Sequence, residues 1–513
     1  MKEIPFKKIE LLIGVFIGLL YILFSFQDLA IFESFGRVVY GIQMRLDFPR
    51  SMGANKIAIV NIDEKSLRQL GSWPWPRQVI AEMIAVLKNN GARLIGLDFP
   101  FNEKEQNQGL LEVRNLQKLA LEHAATSDKK NPWLLDTLKE IEKRLDNDSV
   151  LCEAIKKSGN VYLPVIGAYG KYDTDVALPE DSVIRRNALK VKAPLEDLVP
   201  VTRLTTPFLE LSESIRGLGH LNLSPRKSQQ GYSHLLLIDY RGYVIPSLPF
   251  RLSLDYLGKT FEDTIVPGKG VLLSDKLVPT ATGEVLVKYR GGKRSFPYYS
   301  FADILNVKKV PAVFDGKIVL IGYTAEGAPT VSTPVDPALP QVEFMANVID
   351  NLINGNYLKR PAFMPYAEAL ILLLLSVFAS YILPRQSTLN RMGVTVGLVF
   401  VAFLVGLIFF TVLGIWFKII YVCLALLTIF VEHSIRDIVV RQRALGITSR
   451  ESVDTNRMLG LSLQSQGLLD LAFEKFRKCP LDDALTDVVY NLGLDYERKR
   501  MYNKAISVYE YIT

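Results

Sequence analysis

Two long apolar blocks set the strongest constraint on how this chain of 513 residues can fold. The first block runs from Leu11 to Phe26, and the second runs from Met364 to Val431. A helix needs about 20 apolar residues to cross the core of a bilayer. The first block can therefore supply one such helix, and the second can supply three, at Tyr366–Leu383, Met392–Phe410 and Ile415–Val431. The sequence predicts four transmembrane helices, with the lipid bilayer as a partner.

The positive charges beside these blocks predict an orientation. Lysine and arginine are enriched on the cytoplasmic side of membrane helices. They lie before the first block, between the second and third predicted helices, and after the fourth, at Lys2, Lys7, Lys8, Arg385, Arg391, Arg436, Arg441 and Arg443. This pattern places both ends of the chain in the cytoplasm. The first block could also be a signal peptide, but it lacks a small-residue cleavage site, which favours an uncleaved anchor.

These assignments divide the chain into five segments. We predict a cytoplasmic N-terminus with the first transmembrane helix at residues 1–27, and an extracytoplasmic domain at residues 28–362. Three further transmembrane helices occupy residues 363–432. A juxtamembrane helix at 433–455 then leads to helical repeats at 456–513.

The composition argues against several classes of function. The net charge of +7 is modest, and no basic stripe with interleaved aromatic residues suggests nucleic-acid binding. Cys152, Cys423 and Cys479 fall in three different compartments, so no intrachain disulfide is predicted. No Cys/His spacing suggests zinc and no alternating acidic loop suggests calcium. We predict no metal and no cofactor.

The start of the extracytoplasmic domain has the pattern of a parallel sheet. Ile57–Ile62 is an apolar run typical of a buried strand, and Val79–Leu87 has the period of a helix with one buried face. A second strand follows at Arg93–Leu97. A strand, a helix and a strand at this spacing form a βαβ unit. We predict an α/β domain with a mainly parallel sheet, more strands at residues 161–166, 234–239, 284–289 and 317–321, and a helix at 342–353.

The two strands of this unit are each followed by a carboxylate. Asp63 follows the first strand and Asp98 follows the second. Ligands of open parallel sheets usually bind at the carboxyl ends of the strands. The loop after Gly71 adds Trp73, Trp75 and Arg77. We therefore regard Asp63, Trp73, Trp75, Arg77 and Asp98 as candidate ligand-binding residues.

A structural interpretation of the same residues stays open. Asp63 can cap the following helix, and Asp98 can anchor the turn at Phe99 and Pro100. The two tryptophans can pack over the edge of the sheet, with Arg77 paired to Asp63 or Asp98. No catalytic residue is predicted, because hydrolase motifs such as G-x-S-x-G and H-E-x-x-H do not occur.

The C-terminal segment contains a twofold repeat. Four positions recur 33 residues later with similar residues: Gly460, Leu463, Ala472 and Phe476 become Gly493, Tyr496, Ala505 and Tyr509. Small residues where two helices touch, at this period, are typical of tetratricopeptide repeats. We predict an all-α repeat region that binds a cytoplasmic protein. Because the second repeat is incomplete at Thr513, we also expect that the polypeptide can continue, for example into a kinase or cyclase domain.

Several motifs in one order resemble the second CHASE family of extracellular sensor domains. The first is IAIVNIDEKSLRQLGSWPWPR, followed by GARLIGLDFPF. Further elements are Gly219-His-Leu-Asn222, Tyr289-Arg-Gly291, DGKIVLIGYTAEG and the 342–352 segment, so the resemblance covers roughly residues 40–360. It implies an input module of bacterial receptors, between one N-terminal and three C-terminal spans. One departure is Met345, where the family pattern V-E-x-H-A-N has histidine.

Together these features predict a bacterial inner-membrane receptor with no enzyme activity in the residues given. Its periplasmic domain senses an unknown ligand, and the membrane helices relay the signal to the repeat region and an effector. We expect a homo-oligomer, most simply a dimer. The first alternative is a non-enzymatic membrane-anchored scaffold or assembly protein. The second is a periplasmic enzyme acting through Asp63 and Asp98.

Overall fold

The computed structural model describes residues 6–27, 29–47, 56–126, 132–171, 182–190, 198–225, 231–266, 270–273, 276–278, 283–307, 312–361 and 363–513. Lys2, which contributes to the predicted orientation, lies outside the described residues, as do residues 127–131.

The strands in the described residues are β1 (Ile57–Ile62), β2 (Leu94–Leu97), β3 (Val161–Tyr169), β4 (Leu189–Lys190), β5 (Val199–Thr205), β6 (Gly217–His220), β7 (Ser233–Leu235), β8 (Leu237–Tyr240), β9 (Tyr243–Pro246), β10 (Ile265–Val266), β11 (Gly270–Leu273), β12 (Lys276–Val278), β13 (Glu284–Leu286), β14 (Tyr298–Ser300), β15 (Ile318–Tyr323), β16 (Thr330–Val331) and β17 (Leu339–Pro340).

The α-helices are α1 (Phe6–Gln27), α2 (Ala30–Leu46), α3 (Glu64–Leu70), α4 (Arg77–Asn89), α5 (Gln108–Thr126), α6 (Pro132–Leu145), α7 (Asn147–Ser158), α8 (Val183–Asn187), α9 (Leu209–Ser214), α10 (Leu248–Leu257), α11 (Phe301–Asn306), α12 (Gln341–Asn354), α13 (Met364–Ile382), α14 (Thr388–Ile408), α15 (Ile420–Ser465), α16 (Leu469–Phe476), α17 (Asp483–Arg498) and α18 (Tyr502–Ile512). Short 3₁₀ turns lie at Glu262–Thr264 and Leu383–Arg385, and a π-helical turn at Phe409–Leu413 extends α14.

A mostly parallel sheet forms the centre of the domain between α1 and α13. Nine of its ten strands run in the order β14-β1-β15-β2-β3-β5-β8-β9-β4, and the tenth, β6, pairs with β3. All pairs from β14 to β3 are parallel, and so is the pair of β3 with β6. The outer half of β3 pairs with β5 in the antiparallel sense. The predicted α/β class with a mainly parallel sheet is therefore confirmed.

The central strands are apolar because helices cover both of their faces. In β1, Ala58, Val60 and Ile62 belong to one core, and Ile57 and Ile59 belong to another. The first core also contains the buried residues of α4 and α7, which pack together. The second contains residues of α10 and α12. Strands buried on both faces are typically continuous apolar runs, and this is why β1, β2 and β15 are visible in the sequence.

The predicted helices of this domain form with shifted ends. The helix predicted at Val79–Leu87 is α4, which begins at Arg77 and buries Ile80, Met83, Ile84 and Leu87. The chain then turns at Gly91, between α4 and β2, where the φ of +81° lies in the left-handed region. The helix predicted at 342–353 is α12.

Two predicted strands are wrong in part. The run predicted at 234–239 is divided between β7 and β8, which lie in different sheets. The strand predicted at 284–289 ends at Leu286, because the following backbone groups bond elsewhere. The amide of Val287 donates to the Tyr232 carbonyl, and that of Lys288 donates to the Asn351 side chain.

Among the described residues, three helices are long and apolar enough to cross a membrane, and not the four that we predicted. These candidate spans are Ile9–Gln27, Met364–Arg385 and Thr388–Leu413. The fourth, predicted at 415–431, is wrong because α15 begins only at Ile420. Its apolar part ends before Glu432, so residues 420–431 give about 18 Å of helix, well short of the roughly 30 Å of a bilayer core. The prediction that both chain ends are cytoplasmic relied on four crossings and no longer follows from the number of spans.

The chain divides into two compact units. One contains residues 19–373 and 399–423, and therefore the sheet. The other contains residues 1–18, 374–398 and 424–513, and it includes the C-terminal helices.

The C-terminal region is helical, as predicted, with equivalent close contacts in its two halves. A Cβ added at Gly460 would lie 2.4 Å from the Phe476 ring, and one added at Gly493 would lie 2.3 Å from the Tyr509 ring. Ala472 and Ala505 are buried in the same core. The two glycines thus let aromatic rings approach a helix closely at the repeated positions. The tetratricopeptide assignment itself stays a prediction.

Gly219 in β6 provides a test of how closely the sheet and α10 pack. A Cβ at this position would lie 2.5 Å from both the nitrogen and the Cα of Leu248, and backbone atoms cannot move aside as side chains can. We expect Gly219→Ala to lower the free energy of unfolding by about 1–3 kcal/mol, as overpacking does in other cores. Denaturant unfolding of the purified chain measures this.

Gly109→Ala is the matched control, because its Cβ would meet no atom closer than 3.3 Å in helix α5. Alanine is favoured over glycine by up to about 1 kcal/mol in helices, so this variant should be unchanged or more stable. Equal stability of the two variants would contradict the packing described for Gly219.

Candidate functional site

The carboxyl ends of β1, β15 and β2 place the two candidate carboxylates on one edge of the sheet. Asp63 follows β1 and Asp98 follows β2, but β15 lies between these strands. Two strand spacings amount to roughly 10 Å. The acids therefore do not share a proton or a metal ion directly.

Asp63 caps helix α3. Its Oδ1 accepts hydrogen bonds from the Ser66 amide (2.9 Å) and the Ser66 hydroxyl (2.7 Å). The Ser300 hydroxyl at the end of β14 donates to the same oxygen at 2.9 Å. Partial burial alone would raise the pKa of Asp63, but these hydrogen bonds outweigh it and lower the pKa below its ordinary value. This geometry supports the capping interpretation.

Asp98 is held differently. It is 6% exposed, and its Oδ1 accepts a hydrogen bond from the Gln341 side-chain amide at 3.0 Å. Among the described residues, its Oδ2 has no hydrogen-bond partner. Burial raises the pKa of Asp98 to about 8, although the Gln341 contact acts in the opposite direction. Asp98 is thus a neutral acid at pH 7 with a proton to donate, and its side chain bonds to the first residue of α12 instead of the Phe99–Pro100 turn.

The two tryptophans have different environments. Trp75 is 3% exposed, donates from Nε1 to the Gly71 carbonyl at 2.8 Å, and belongs to the core. Trp73 is partly exposed. Its ring lies 4.9 Å from that of Phe99 and 6.0 Å from that of Tyr323, centroid to centroid. Trp73 therefore packs against Phe99, the residue that follows Asp98, and against Tyr323 at the end of β15.

Arg77 pairs with neither predicted partner. Its Nε lies 3.8 Å from Asp148 Oδ1, and its backbone amide donates to Glu105 Oε2 at 2.9 Å. The guanidinium also lies over the Phe101 ring, 4.3 Å from its centroid. The interpretation in which Arg77 binds Asp63 or Asp98 is wrong, because Asp148 and Glu105, which lie between β2 and β3, take that role. Of the five candidates, Asp98 and Arg77 each have a buried polar atom without a hydrogen-bond partner among the described residues, and Trp73 is partly exposed.

A second polar cluster, which our sequence reasoning missed, lies on α12. Glu343 is fully buried, and three groups donate to its carboxylate: the amides of Ser295 (2.7 Å) and Arg294 (3.0 Å) and the hydroxyl of Tyr298 (2.8 Å). Burial and then the Glu343 charge raise the pKa of Tyr298, so its hydroxyl stays a donor.

Three more side chains of α12 hold the same segment. Asn347 accepts from the Arg290 amide at 3.0 Å, and Asp350 accepts from Arg290 Nε at 2.8 Å. Asn351 bonds both backbone groups of Lys288, at 2.6 and 2.7 Å. We call residues 288–298 the clamped segment. The signal in the sequence was the helical spacing of polar residues 343, 347, 350 and 351, opposite the apolar face.

The clamped segment also contacts α2. The Tyr40 hydroxyl donates to the Val287 carbonyl at 2.8 Å, just before the segment. Lys288 Nζ lies 2.6 Å from Asp47 Oδ2 at the end of α2. Beyond α12, Arg360 Nη2 bonds Glu368 of α13 at 2.8 Å, and the Lys418 amide donates to the same carboxylate. These contacts connect α12 to both α2 and the start of α13.

Two histidines that seemed scattered in the sequence lie together in the interior. The rings of His220 and His234 are stacked, with centroids 6.4 Å apart, and both are buried. Burial lowers the pKa of both, that of His234 to about 3, so both are neutral. In the described part of the chain, none of their ring nitrogens has a hydrogen-bond partner, and no group of three or more potential ligands could hold a metal ion.

The comparison with known families identifies the class of this chain. The CHASE2 domain model matches residues 12–382, from within α1 to the end of α13. The chain therefore belongs to the CHASE2 domain family, whose sensor domain indicates a signalling receptor. No curated protein and no solved structure matches the chain.

The departure from the family pattern at Met345 falls in the core. Met345 is 1% exposed and packs with residues of β1 and β15 in the second core. It is one of the apolar residues that α12 contributes to this core. Methionine there fills space on the sheet.

Asp98 makes the stability of the protein depend on pH. Between the ordinary carboxyl pKa and about 8, the unfolded chain has lost the Asp98 proton and the folded chain keeps it. The contribution of Asp98 to the free energy of unfolding therefore falls as pH rises through this window, by at most about 1.4 kcal/mol per pH unit, whereas the buried neutral histidines contribute a slope of opposite sign below their ordinary pKa. We expect Asp98→Asn to remove the slope due to Asp98 and to be more stable than the wild type at pH 8. Denaturant unfolding at pH 5, 6, 7 and 8 measures it.

Asp63→Asn is the control with the opposite sign. Since the folded pKa of Asp63 is lowered, its contribution is present above the ordinary carboxyl pKa and is lost at more acidic pH. This variant should keep the wild-type slope between pH 6 and 8. Parallel profiles for Asp98→Asn and the wild type would show that Asp98 is not a buried neutral acid.

Proposed function

We propose that this chain is the sensing and relay part of a bacterial inner-membrane signalling receptor, without enzyme activity of its own. One observation carries the proposal: the CHASE2 match extends into the two apolar helices that bracket the sheet domain. A sensor domain held between membrane helices is built to report conditions on one side of a membrane.

We place the sheet domain outside the cytoplasm. Lys7 and Lys8 precede the apolar part of α1, and Arg385 and Arg391 flank the loop between α13 and α14. Positive residues favour the cytoplasmic side. This orientation supports a periplasmic location for the residues between α1 and α13.

The ligand site that we propose is the sheet edge at Asp98 and Trp73. A neutral carboxyl can donate a hydrogen bond to a ligand acceptor, and the Trp73 ring, which packs against the next residue Phe99, offers an apolar surface at the same edge. The free Oδ2 of Asp98 supports a binding role, since buried polar atoms are normally bonded. Asp63, Trp75 and Arg77 would support the site without contacting the ligand.

Helix α12 is the relay in this proposal. Its first residue, Gln341, bonds Asp98, and its polar face holds the clamped segment. The clamped segment contacts α2 through Lys288, and α12 leads to α13 within about ten residues. A ligand that changes the Asp98–Gln341 contact would therefore shift elements attached to two candidate spans.

We further propose that the receptor acts as a dimer and that its C-terminal helices bind an effector protein through tetratricopeptide-like repeats. Exposed apolar side chains on these helices support protein binding: Leu471, Tyr490, Tyr502 and Ile506 are each at least half exposed. The close contacts at Gly460 and Gly493 support the repeat assignment.

Thiol labelling tests the orientation. Leu209→Cys lies on the exposed surface of α9, and Leu389→Cys lies at the exposed start of α14. In cells with a permeable outer membrane, a membrane-impermeant maleimide should label Cys at 209 and should reach 389 only after the inner membrane is opened. Protection of 209, or direct labelling of 389, would contradict the periplasmic placement.

The relay can be tested with a probe on α13. Tyr366 is 71% exposed near the start of this helix, so Tyr366→Cys can carry a nitroxide without disturbing the core. In the reconstituted chain with its natural cysteines replaced, we expect the electron paramagnetic resonance spectrum to change with a midpoint near pH 8, because charging Asp98 strengthens the hydrogen bond that Gln341 donates to it and leaves the second carboxylate oxygen as a buried charge without a donor. Asp98→Asn should abolish the change.

Glu213→Gln serves as the control in that experiment, because Glu213 is an exposed acid of α9. It should leave the response intact. A response that survives in Asp98→Asn would mean that the probe reports another titrating group, and a scaffold role would then be favoured over a relay from the sheet edge.

A further inference from the structure

Helix α2 has an exposed apolar face that the proposed relay does not use. Its members are spaced by four or three residues and are 42–64% exposed; we call them the apolar stripe: Ile31, Phe35, Val38, Ile42 and Leu46. This spacing places them on one face of the helix. A contiguous apolar face of this kind marks an interaction surface.

The opposite face of α2 is fixed in place. Tyr40, Gln43 and Met44 are 0–4% exposed. The Tyr40 ring lies 5.5 Å from that of Phe410 and 5.4 Å from that of Trp416. One face of α2 therefore packs on the end of the α14 span, and the apolar stripe lies on the opposite face.

The contacts along α2 also give its depth. Gly36 lies beside Ile420, Tyr40 beside Phe410, and Gln43 beside Gly406. Gly406 precedes Leu413, the last residue of the candidate span, by about two turns, which is roughly 10 Å. Residues 36–43, which are two turns of α2, therefore lie beside the end of α14 and the start of α15. An interfacial helix buries its apolar face to a depth of about 5–10 Å.

The stripe is continuous with surface that faces lipid. Val405, Ile408 and Val412, in the last turns of the α14 span, are 45–62% exposed at this level. Trp416, which α2 covers, is the residue type enriched where membranes meet water. An apolar stripe at this depth has acyl chains beside it.

Two arginines complete the pattern on one flank of the stripe. Arg37 and Arg45 are eight residues apart on α2 and, together with Ser332 and Thr333, line an open cleft of about 600 Å³. Guanidinium groups bind phosphate oxygens with charge-assisted hydrogen bonds. At the boundary of a bilayer, the phosphates available to this cleft belong to lipid headgroups.

We propose that α2 is an interfacial helix, lying in the plane of the membrane on the side of the sensor domain. Its apolar stripe inserts among the acyl chains, and Arg37 and Arg45 bind lipid phosphates. Tyr40 bonds Val287, just before the clamped segment, and Asp47 pairs with Lys288 within it, so the sensor domain rests on this membrane-bound helix. The proposal needs α14 to cross the membrane and is otherwise independent of the ligand site.

Nitroxide accessibility tests the proposal in the full chain, reconstituted in vesicles of phosphatidylethanolamine and phosphatidylglycerol. The background carries Cys152→Ser, Cys423→Ala and Cys479→Ala, and labels are placed at Val38→Cys or Ile42→Cys. Oxygen concentrates in the bilayer and a nickel chelate in water. We expect both labels to collide with oxygen several-fold more than with the chelate, as Val405→Cys does, whereas Leu209→Cys shows the reverse.

The reference label at Val405→Cys distinguishes failure of this proposal from failure of the premise that α14 crosses the membrane. If Val405→Cys reports water, α14 does not cross the membrane, and the premise shared with the proposed function fails. If Val405→Cys reports lipid but Val38→Cys and Ile42→Cys react with the nickel chelate, α2 lies in water and the proposal is wrong. Exclusion of both reagents with dipolar broadening between labels would show that a second copy of the chain covers the stripe, which also overturns it.

The arginines are tested in the same system. Arg37→Gln with Arg45→Gln should move the Ile42→Cys label towards water, seen as at least a twofold drop in the oxygen-to-nickel ratio. Arg68→Gln, on α3 of the sheet domain, is the matched control and should change nothing. An unchanged ratio in the double variant would rule out phosphate binding by these residues.

Discussion

The buried carboxylate of Glu343 is the interaction on which the arrangement of the sensor domain depends. A charge in the interior is tolerated only when it is fully hydrogen-bonded, and Glu343 receives donors from Arg294, Ser295 and Tyr298. Tyr298 begins β14, the edge strand next to β1. The same contact therefore fixes α12, the clamped segment and one margin of the sheet. Loss of it would leave the Arg294 and Ser295 amides without the acceptor that they use here.

The parts of the fold that could be predicted are those specified by neighbouring residues. β1 and α4 are visible because a buried strand is a continuous apolar run and a half-buried helix has a regular period. The strand predicted to continue to Tyr289 failed because Lys288 bonds Asn351, which is 63 residues away in the sequence. The fourth span failed because the backbone of Trp416 bonds Lys359, which delays the start of α15 and shortens its apolar part.

The partners of the candidate site residues could also be predicted only where they are close in the sequence. The capping role of Asp63 depends on Ser66, within one helical turn, and short-range chemistry suggested it. The partner of Asp98 is Gln341, which is 243 residues away, and Arg77 finds Asp148 in an insertion. The sequence therefore placed both carboxylates at one edge of the sheet, but did not indicate which side chains keep unsatisfied groups there. That depends on long-range packing, which also creates the neutral state of Asp98.

The position of Val287 and Lys288 has a mechanical consequence. Tyr40 and Asp47 of α2 bind these two residues from one side, and Asn351 of α12 binds Lys288 through both backbone groups. Because close-packed interiors deform little, a displacement of α12 cannot leave this segment in place without breaking hydrogen bonds. α12 also leads directly to α13. In the relay that we propose, a change at Gln341 would act on α2 and α13 at once, and the signal would be a relative movement between these two helices.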